Sequence, residues 1–477
     1  MNLPEHKTKI VCTLGPVSSD VETIRKMILA GMNIARINMS HGDFEGHRRV
    51  IRNLREAASQ LSARVTILAD LPGPKIRIGL LAQEPFDLKP GDRITLTTED
   101  TVGNPARVSV SFNGLPGAVK PGDTIFINDG IIQLEAGSVT STDVSCRVVV
   151  GGELRSRKGL NLPNIDVGVS AFTEHDRECL AFAMEEHIEA VSQSFVESAS
   201  DIADVREAAE ALGRKPFIVA KIERARALRH IDEIIEAADG VMIARGDLGV
   251  EVPIERIALL QKEITRKANL AGKPVITATQ MLESMTANPR PTRAEATDVA
   301  NAIFDGTDCV MLSEESATGR YPVEAVSMLT NIARAVEPFN RGHMETIGQA
   351  VPADSQGVPI ASLLSRAAET IVRHGDVAVM IVPTRGGSTA RDLTRARLPV
   401  WIMAVSASEA ACHGLQFSYG VYPVLEAGLP IDWTKYARER AGSYGIAGRF
   451  AVLIEGPSPG ALDANHRIEI VDLKPGS

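Results

Sequence analysis

The chain has 477 residues, 44% of them hydrophobic, and a formal net charge of −9. A length of this order predicts about three domains, and the composition is that of a globular protein with true cores. The negative balance excludes a broad basic surface for nucleic acid, and no apolar run is long enough to span a bilayer. The opening stretch MNLPEHKTK is polar and lacks the apolar core of a signal peptide. Cys12, Cys146, Cys179, Cys309 and Cys412 are scattered without paired metal-ligand spacing, which suits a reducing compartment and argues against a disulfide framework. A soluble, cytoplasmic protein is expected.

In chain order, TKIVCTLGP is an apolar run stopped by Gly15 and Pro16. SSDVETIRKMILAG opens on capping residues and closes on Gly31, as a helix does. MNIARINMS and RVTILAD read as further strands, with the helical stretch GDFEGHRRVIRNLREAASQL between them. The rhythm breaks from Pro72 to Val167, where short alternating runs are punctuated by KPGD twice and by other glycines. That pattern predicts a small all-β domain, a β-barrel, inserted after a strand. The rhythm resumes with the helix TEHDRECLAFAMEEH and the strands IEAVSQSF, FIVAKIE, GVMIARG, PVITATQ and CVMLSEE, each followed by a helical stretch. Eight parallel βα units predict a closed (β/α)8 barrel made of residues 1–71 and 168–340, with 72–167 as the insertion. A polar connector at 338–357 then leads to an open, mostly parallel α/β-sheet domain over 341–477.

The barrel strands end in charge. FIVAKIE ends on Lys221 and Glu223, two apart and therefore on one face of an extended strand. GVMIARGDLG ends on Arg245, Gly246 and Asp247. In such barrels active sites sit at the C-terminal strand ends. A carboxylate from each of two neighbouring strands suits a hard divalent cation such as Mg²⁺, and a lysine beside it can neutralise a moving phosphoryl group. The same residues also fit a structural ion pair and a turn cap. The other strand tips offer Arg36, Asn38, Ser40, His41, Asp70, Arg77, Thr279, Gln280, Ser313 and Glu315. Two arginines, a lysine, a carboxylate pair and hydroxyl donors converging on one mouth suit a phosphorylated, anionic substrate.

At these residues the chain resembles the pyruvate kinase family. The strings that carry the resemblance are TKIVCTLGP, NIARINMSHG, GPKIRIG, RKGLNLPN, FIVAKIE, ARGDLGVE, PVITATQMLESM and PTRAEATDVANAIFDGTDCVMLSEESATGRYPVEA. The resemblance implies transfer of a phosphoryl group from phosphoenolpyruvate to ADP, giving pyruvate and ATP, in glycolysis and usually in a homotetramer. It implies Glu223 and Asp247 as ligands of Mg²⁺ or Mn²⁺, Lys221 on the transferred phosphoryl group, and Arg36 on the phosphate. Thr279 with the Gly246 and Asp247 amides would hold the substrate carboxylate, and water near Thr279 and Ser313 would protonate the enolate. Arg77, Lys158 and the Asn38–Ser40–His41 segment would touch the nucleotide, under an inserted domain acting as a lid. Two other readings stay open: another (β/α)8 enzyme acting on phosphoenolpyruvate or pyruvate, and a weakly catalytic sensor of metabolites.

Two departures from the family pattern matter. Many members have Thr after the aspartate matching Asp70 and Glu at the position of Lys75, and bind K⁺ near the residues matching Asn38, Ser40 and Asp70. Lys75 therefore implies a built-in ammonium in place of K⁺, and activity that does not require K⁺. In LSEESATG, Glu314 replaces the usual Gly. The C-terminal region resembles the family's effector domain, and VAVMIVPTRGGSTARDL reads as strand, glycine loop and helix start. Thr384, Arg385, Ser388 and Thr389 are the candidate ligands there for a phosphorylated effector; a tight turn and helix cap is the alternative.

Overall fold

The structure is a computed structural model that describes residues 3–165, 167–340, 360–428, 430–456 and 466–474. Eight parallel strands close into a barrel: Lys9–Thr13, Ile34–Asn38, Thr66–Leu71, Ala190–Gln193, Phe217–Ile222, Gly240–Ala244, Val275–Ala278 and Cys309–Leu312. Closure is the pairing of the first strand with the last, Lys9 opposite Cys309 through Cys12 opposite Leu312. The strands are almost wholly buried, as parallel strands covered on both faces must be. Outward-facing Ile10, Ile67, Ile218 and Val310 pack against the helix ring, whereas Val11, Leu68, Val219, Met242 and Ile276 fill the interior.

Local chemistry fixes the helix starts. Asp20 accepts from the Thr23 amide ahead of Val21–Ala30. Thr173 with Asp176, and Thr292 with Glu295, form reciprocal capping boxes ahead of Glu174–Glu185 and Arg293–Phe304. The helix expected between Phe217–Ile222 and Gly240–Ala244 is broken at His230 into a 3₁₀ turn, Ala225–Arg229, and a short helix, Ile231–Ala237.

The insertion forms a six-stranded sheet and a two-stranded ribbon. It has its own core, in which Ile94, Leu96, Val108, Ile125, Leu134 and Val148 are buried. Gly73, in the strap entering it, has φ +67°, and a Cβ there would stand 2.5 Å from the Phe195 ring; only glycine fits. The Gly73 amide donates to Asp176 at 2.9 Å. At the far side, the Asn128–Gly130 turn comes down on Val250, beside the mouth.

The C-terminal sheet has the order Val421–Leu425, Trp401–Ser406, Val377–Pro383, Phe450–Glu455, Arg467–Asp472, with the last strand antiparallel. From residue 341 on, the connector expected over 338–357 lies outside the described residues. This domain docks on the N-terminal end of the barrel. Phe417 is fully buried there among the interior residues and stacks on Phe217, with ring centroids 4.8 Å apart and planes 4° apart. Cys309 Sγ donates to the Phe417 carbonyl at 3.2 Å, and a buried Arg397–Asp308 ion pair at 2.9 Å locks the same junction.

Candidate active site

The C-terminal strand ends carry a buried hydrogen-bonded chain. Arg36, on the second strand, is 7% exposed and donates to Thr13 Oγ1 at 2.9 Å and to Asp70 Oδ2 at 3.0 Å. Ser192 donates to the other oxygen, Asp70 Oδ1, at 2.6 Å. Thr13 donates in turn to the Leu312 carbonyl at 2.9 Å. Five strands, the eighth, first, second, third and fourth, are thereby stitched around the mouth. Burial alone would raise the Asp70 carboxyl, but the charges of Arg36 and Lys221 and the Ser192 hydroxyl hold it below the usual range.

Lys221 and Glu223 lie on one face of the fifth strand end, as their spacing requires. Lys221 Nζ is 2.7 Å from Glu223 Oε2 and donates to Ser194 Oγ at 3.3 Å. Burial would lower the lysine, but Glu223, Asp70 and Asp247 outweigh it, so Lys221 is held firmly protonated. Glu223 Oε1 accepts from the Phe195 amide at 2.8 Å. Its Oε2 is buried against the Lys221 ammonium. Burial and the neighbouring Asp247 charge raise the Glu223 carboxyl against the pull of Lys221. A dication between Glu223 and Asp247 would remove that repulsion. Among the described residues no cluster of three or more His, Cys, Asp or Glu forms a metal cage, and a two-carboxylate site leaves the remaining positions to water and substrate oxygens, the pattern Mg²⁺ favours.

Across the mouth, Thr279 Oγ1 accepts from the Gly246 amide at 2.7 Å and donates to the Ala278 carbonyl at 2.7 Å. Gly246 and Asp247 begin a short helix, Arg245–Glu251, where a turn was the alternative reading. Ser313 occupies the N-cap position of Glu314–Ala317 without a side-chain capping bond and is half-buried, while Glu314 is exposed. Glu315 points inward: its oxygens accept from the Leu282 amide at 3.1 Å and the Ser313 amide at 2.7 Å. It ties two loops together rather than facing the mouth.

The nucleotide candidates lie on the rim. Asn38 Oδ1 accepts from the Ser40 amide at 3.1 Å, and Ser40 and His41 are exposed. Burial and the charges of Arg77, Lys75 and Arg36 lower the His41 pKa, which places these four groups in one positive field. Arg77 pairs with Gly159 across the insertion and donates to the Arg157 carbonyl at 3.1 Å, next to Lys158. Lys75 is exposed, and its Cε lies 3.3 Å from where a Gly159 Cβ would stand. Among the described residues Lys75 forms no ion pair with Asp70, whose oxygens are taken by Arg36 and Ser192. In the C-terminal domain Thr384 is buried, with its hydroxyl accepting from the Gly387 amide at 2.9 Å. Gly387 has φ +89°; Arg385 and Ser388 are exposed and Thr389 is half-buried. The loop does make the tight turn.

Thr13, Ser192 and Ser194 were not among the sequence candidates. Ser192 and Ser194 have the spacing of two that puts both on one face of a strand end, a signal the sequence does carry; that Ser192 stands opposite Asp70 comes only from the strand register.

A closed (β/α)8 barrel with this charged mouth, a domain over it and an α/β domain beneath defines an enzyme built to handle an anionic substrate. Residues 5–326 match the family described as pyruvate kinase, barrel domain, and residues 362–451 match pyruvate kinase, alpha/beta domain. The chain is 47% identical over 428 residues to a pyruvate kinase of Thermococcus litoralis, covering 89% of each. It is 38% identical over 470 residues to that of Thermotoga maritima, covering 98% of this chain and 99% of the relative. A crystal structure of a pyruvate kinase from Cryptosporidium parvum superposes with a TM-score of 0.90 at 33% identity, covering 98% and 97% of the two chains. The chain belongs to the pyruvate kinase family and is a phosphotransferase.

Proposed function

We propose that this protein transfers the phosphoryl group of phosphoenolpyruvate to ADP with Mg²⁺ and without a requirement for K⁺. The carrying observation is the buried Lys221–Glu223 pair in the field of Asp247 and the Arg36–Asp70 pair. Phosphoryl transfer needs positioning and charge neutralisation more than covalent help. Arg36 grips the phosphate, Lys221 neutralises the moving phosphoryl group, and Thr279 with the Gly246 and Asp247 amides receives the carboxylate. Since the Gly246 amide is held by Thr279 Oγ1, substrate must share or displace that bond. Glu223 and Asp247 would hold Mg²⁺, which supplies charge stabilisation to the phosphoryl oxygens when bound. Thr279 and Ser313 would order the water that protonates the enolate. The rim of Asn38, Ser40, His41, Arg77 and Lys158 takes the nucleotide, and residues 72–167 fold over it to exclude water.

The K⁺ independence rests on two features. Both Asp70 oxygens are already occupied by Arg36 and Ser192, and Lys75 adds a fixed positive charge to the rim. The finer expectations are a cytoplasmic homotetramer and a phosphorylated effector at Thr384, Arg385, Ser388 and Thr389. The test is pyruvate formation from phosphoenolpyruvate and ADP with Mg²⁺ in K⁺-free buffer, with and without KCl. Equal turnover in both is expected. Turnover only with KCl would overturn the Lys75 reading, and none in either would overturn the kinase reading.

A further inference from the structure

We propose that Arg245 is a positioning residue that presets the carboxylate end of the site; the proposal rests on the reading above that Thr279, Gly246 and Asp247 receive the substrate carboxylate. Thr279 has φ +63° and Gln280 φ +54°. A β-branched residue in the left-handed region is an outlier that costs on the order of 1–3 kcal/mol and persists only where its surroundings over-determine it.

Arg245 supplies that determination. Its Nε donates to the Ala278 carbonyl at 3.2 Å, and its Nη2 donates to the Thr279 carbonyl at 2.9 Å and to Met281 Sδ at 2.8 Å. Its Nη1 donates to Gln261 Oε1 at 3.2 Å and Asp298 Oδ1 at 2.8 Å. Asp298 Oδ2, at 2.7 Å, completes the ion pair, and the arginine side chain is only 10% exposed. One guanidinium therefore grips two successive carbonyls of the strained turn and anchors them to two helices. The next residue closes the grip, because the Gly246 amide holds Thr279 Oγ1. Side chain and backbone of adjacent residues thus fix the Thr279 hydroxyl relative to Gly246 and Asp247. A lysine keeps the charge but loses the planar fork that takes both carbonyls and the carboxylate at once.

The test is steady-state kinetics of Arg245→Lys and Asp298→Asn, with phosphoenolpyruvate and ADP varied separately and thermal melts alongside. Arg245→Lys is expected to raise KM for phosphoenolpyruvate at least about tenfold, while KM for ADP stays within about twofold. Asp298→Asn, which leaves the guanidinium but removes its counter-ion, moves KM for phosphoenolpyruvate the same way by less. An unchanged KM for phosphoenolpyruvate, or a parallel rise for both substrates, would overturn the proposal. If Arg245→Lys does not fold, Asp298→Asn decides by the same split. Absence of pyruvate formation by the unsubstituted protein is a separate outcome, and it would sink the functional reading itself.

Discussion

The Lys221–Glu223 pair was legible in the sequence because a spacing of two on an apolar strand puts both charges on one face. Arg36 and Asp70 were legible as strand tips, but their mutual engagement was not. That engagement depends on which strands are neighbours, and on the register between them. Ser192 is the clearest case. Its hydroxyl is the hydrogen-bond partner of Asp70 Oδ1, and removing it leaves a buried carboxylate oxygen unpaired, at a cost of about 1–3 kcal/mol. Ser192→Ala should loosen Asp70, and through it Arg36, so that KM for phosphoenolpyruvate rises while KM for ADP holds. The Asp70 carboxyl should also titrate higher, because one of the groups depressing it is gone, and the acid limb of phosphoenolpyruvate binding should move to higher pH. Ser192→Thr, which keeps the hydroxyl, should restore both. Equal kinetics for Ser192→Ala and the unsubstituted protein would remove Ser192 from this role.

Elements were read well where their pattern is long and poorly where it is short. Phe44–Gln60 carries a clear apolar stripe, whereas Arg245–Glu251 is seven residues long and holds two glycines, so propensity spoke for a turn. Glu409–Leu415 is equally short, too short for its periodicity to show in the sequence. That helix carries a pH-sensitive contact. His413 reaches Thr66 Oγ1 at 3.0 Å, with Glu189 and Glu409 each 4.0 Å away, and burial together with Arg64 and Arg55 lowers its pKa to about 4. His6, ahead of the first strand, is likewise lowered to about 4, by burial and by Lys9, Lys7 and Arg334. A histidine whose folded pKa lies below its unfolded value favours the fold when neutral. Its contribution is present above about 6.5 and is lost as pH falls from there towards 4. The melting temperature should therefore drop through that window, each histidine contributing up to about 3 kcal/mol. Replacing both with Asn should flatten the slope of melting temperature against pH between those limits; an unaltered slope would show that other groups govern it.

At the scale of the molecule, the strand–helix rhythm made the barrel legible, and the break in that rhythm made the insertion legible. The docking of the C-terminal domain was not. Phe417 stands in LQFSYG, a stretch with no period, and only the fold shows it completing the barrel's interior. Because one domain thereby owns part of another's core, the two should unfold together. Phe417→Ala should cost roughly 3–5 kcal/mol and split a single calorimetric transition into two. Independent melting of the unsubstituted barrel and C-terminal domains would refute the shared core.

The same plug sets a schedule for synthesis. The first strand, Lys9–Thr13, finds its closing partner only at Cys309–Leu312, and the floor beneath both waits for Phe417. At roughly 5–20 residues per second the closing strand arrives on the order of 15–60 s after the first, and Phe417 after about 20–80 s. Until the closing strand arrives, any sheet the nascent chain forms is open, with both of its edges unpaired. The most vulnerable moment in the life of this protein falls before it is finished, and a chaperone has most to protect there.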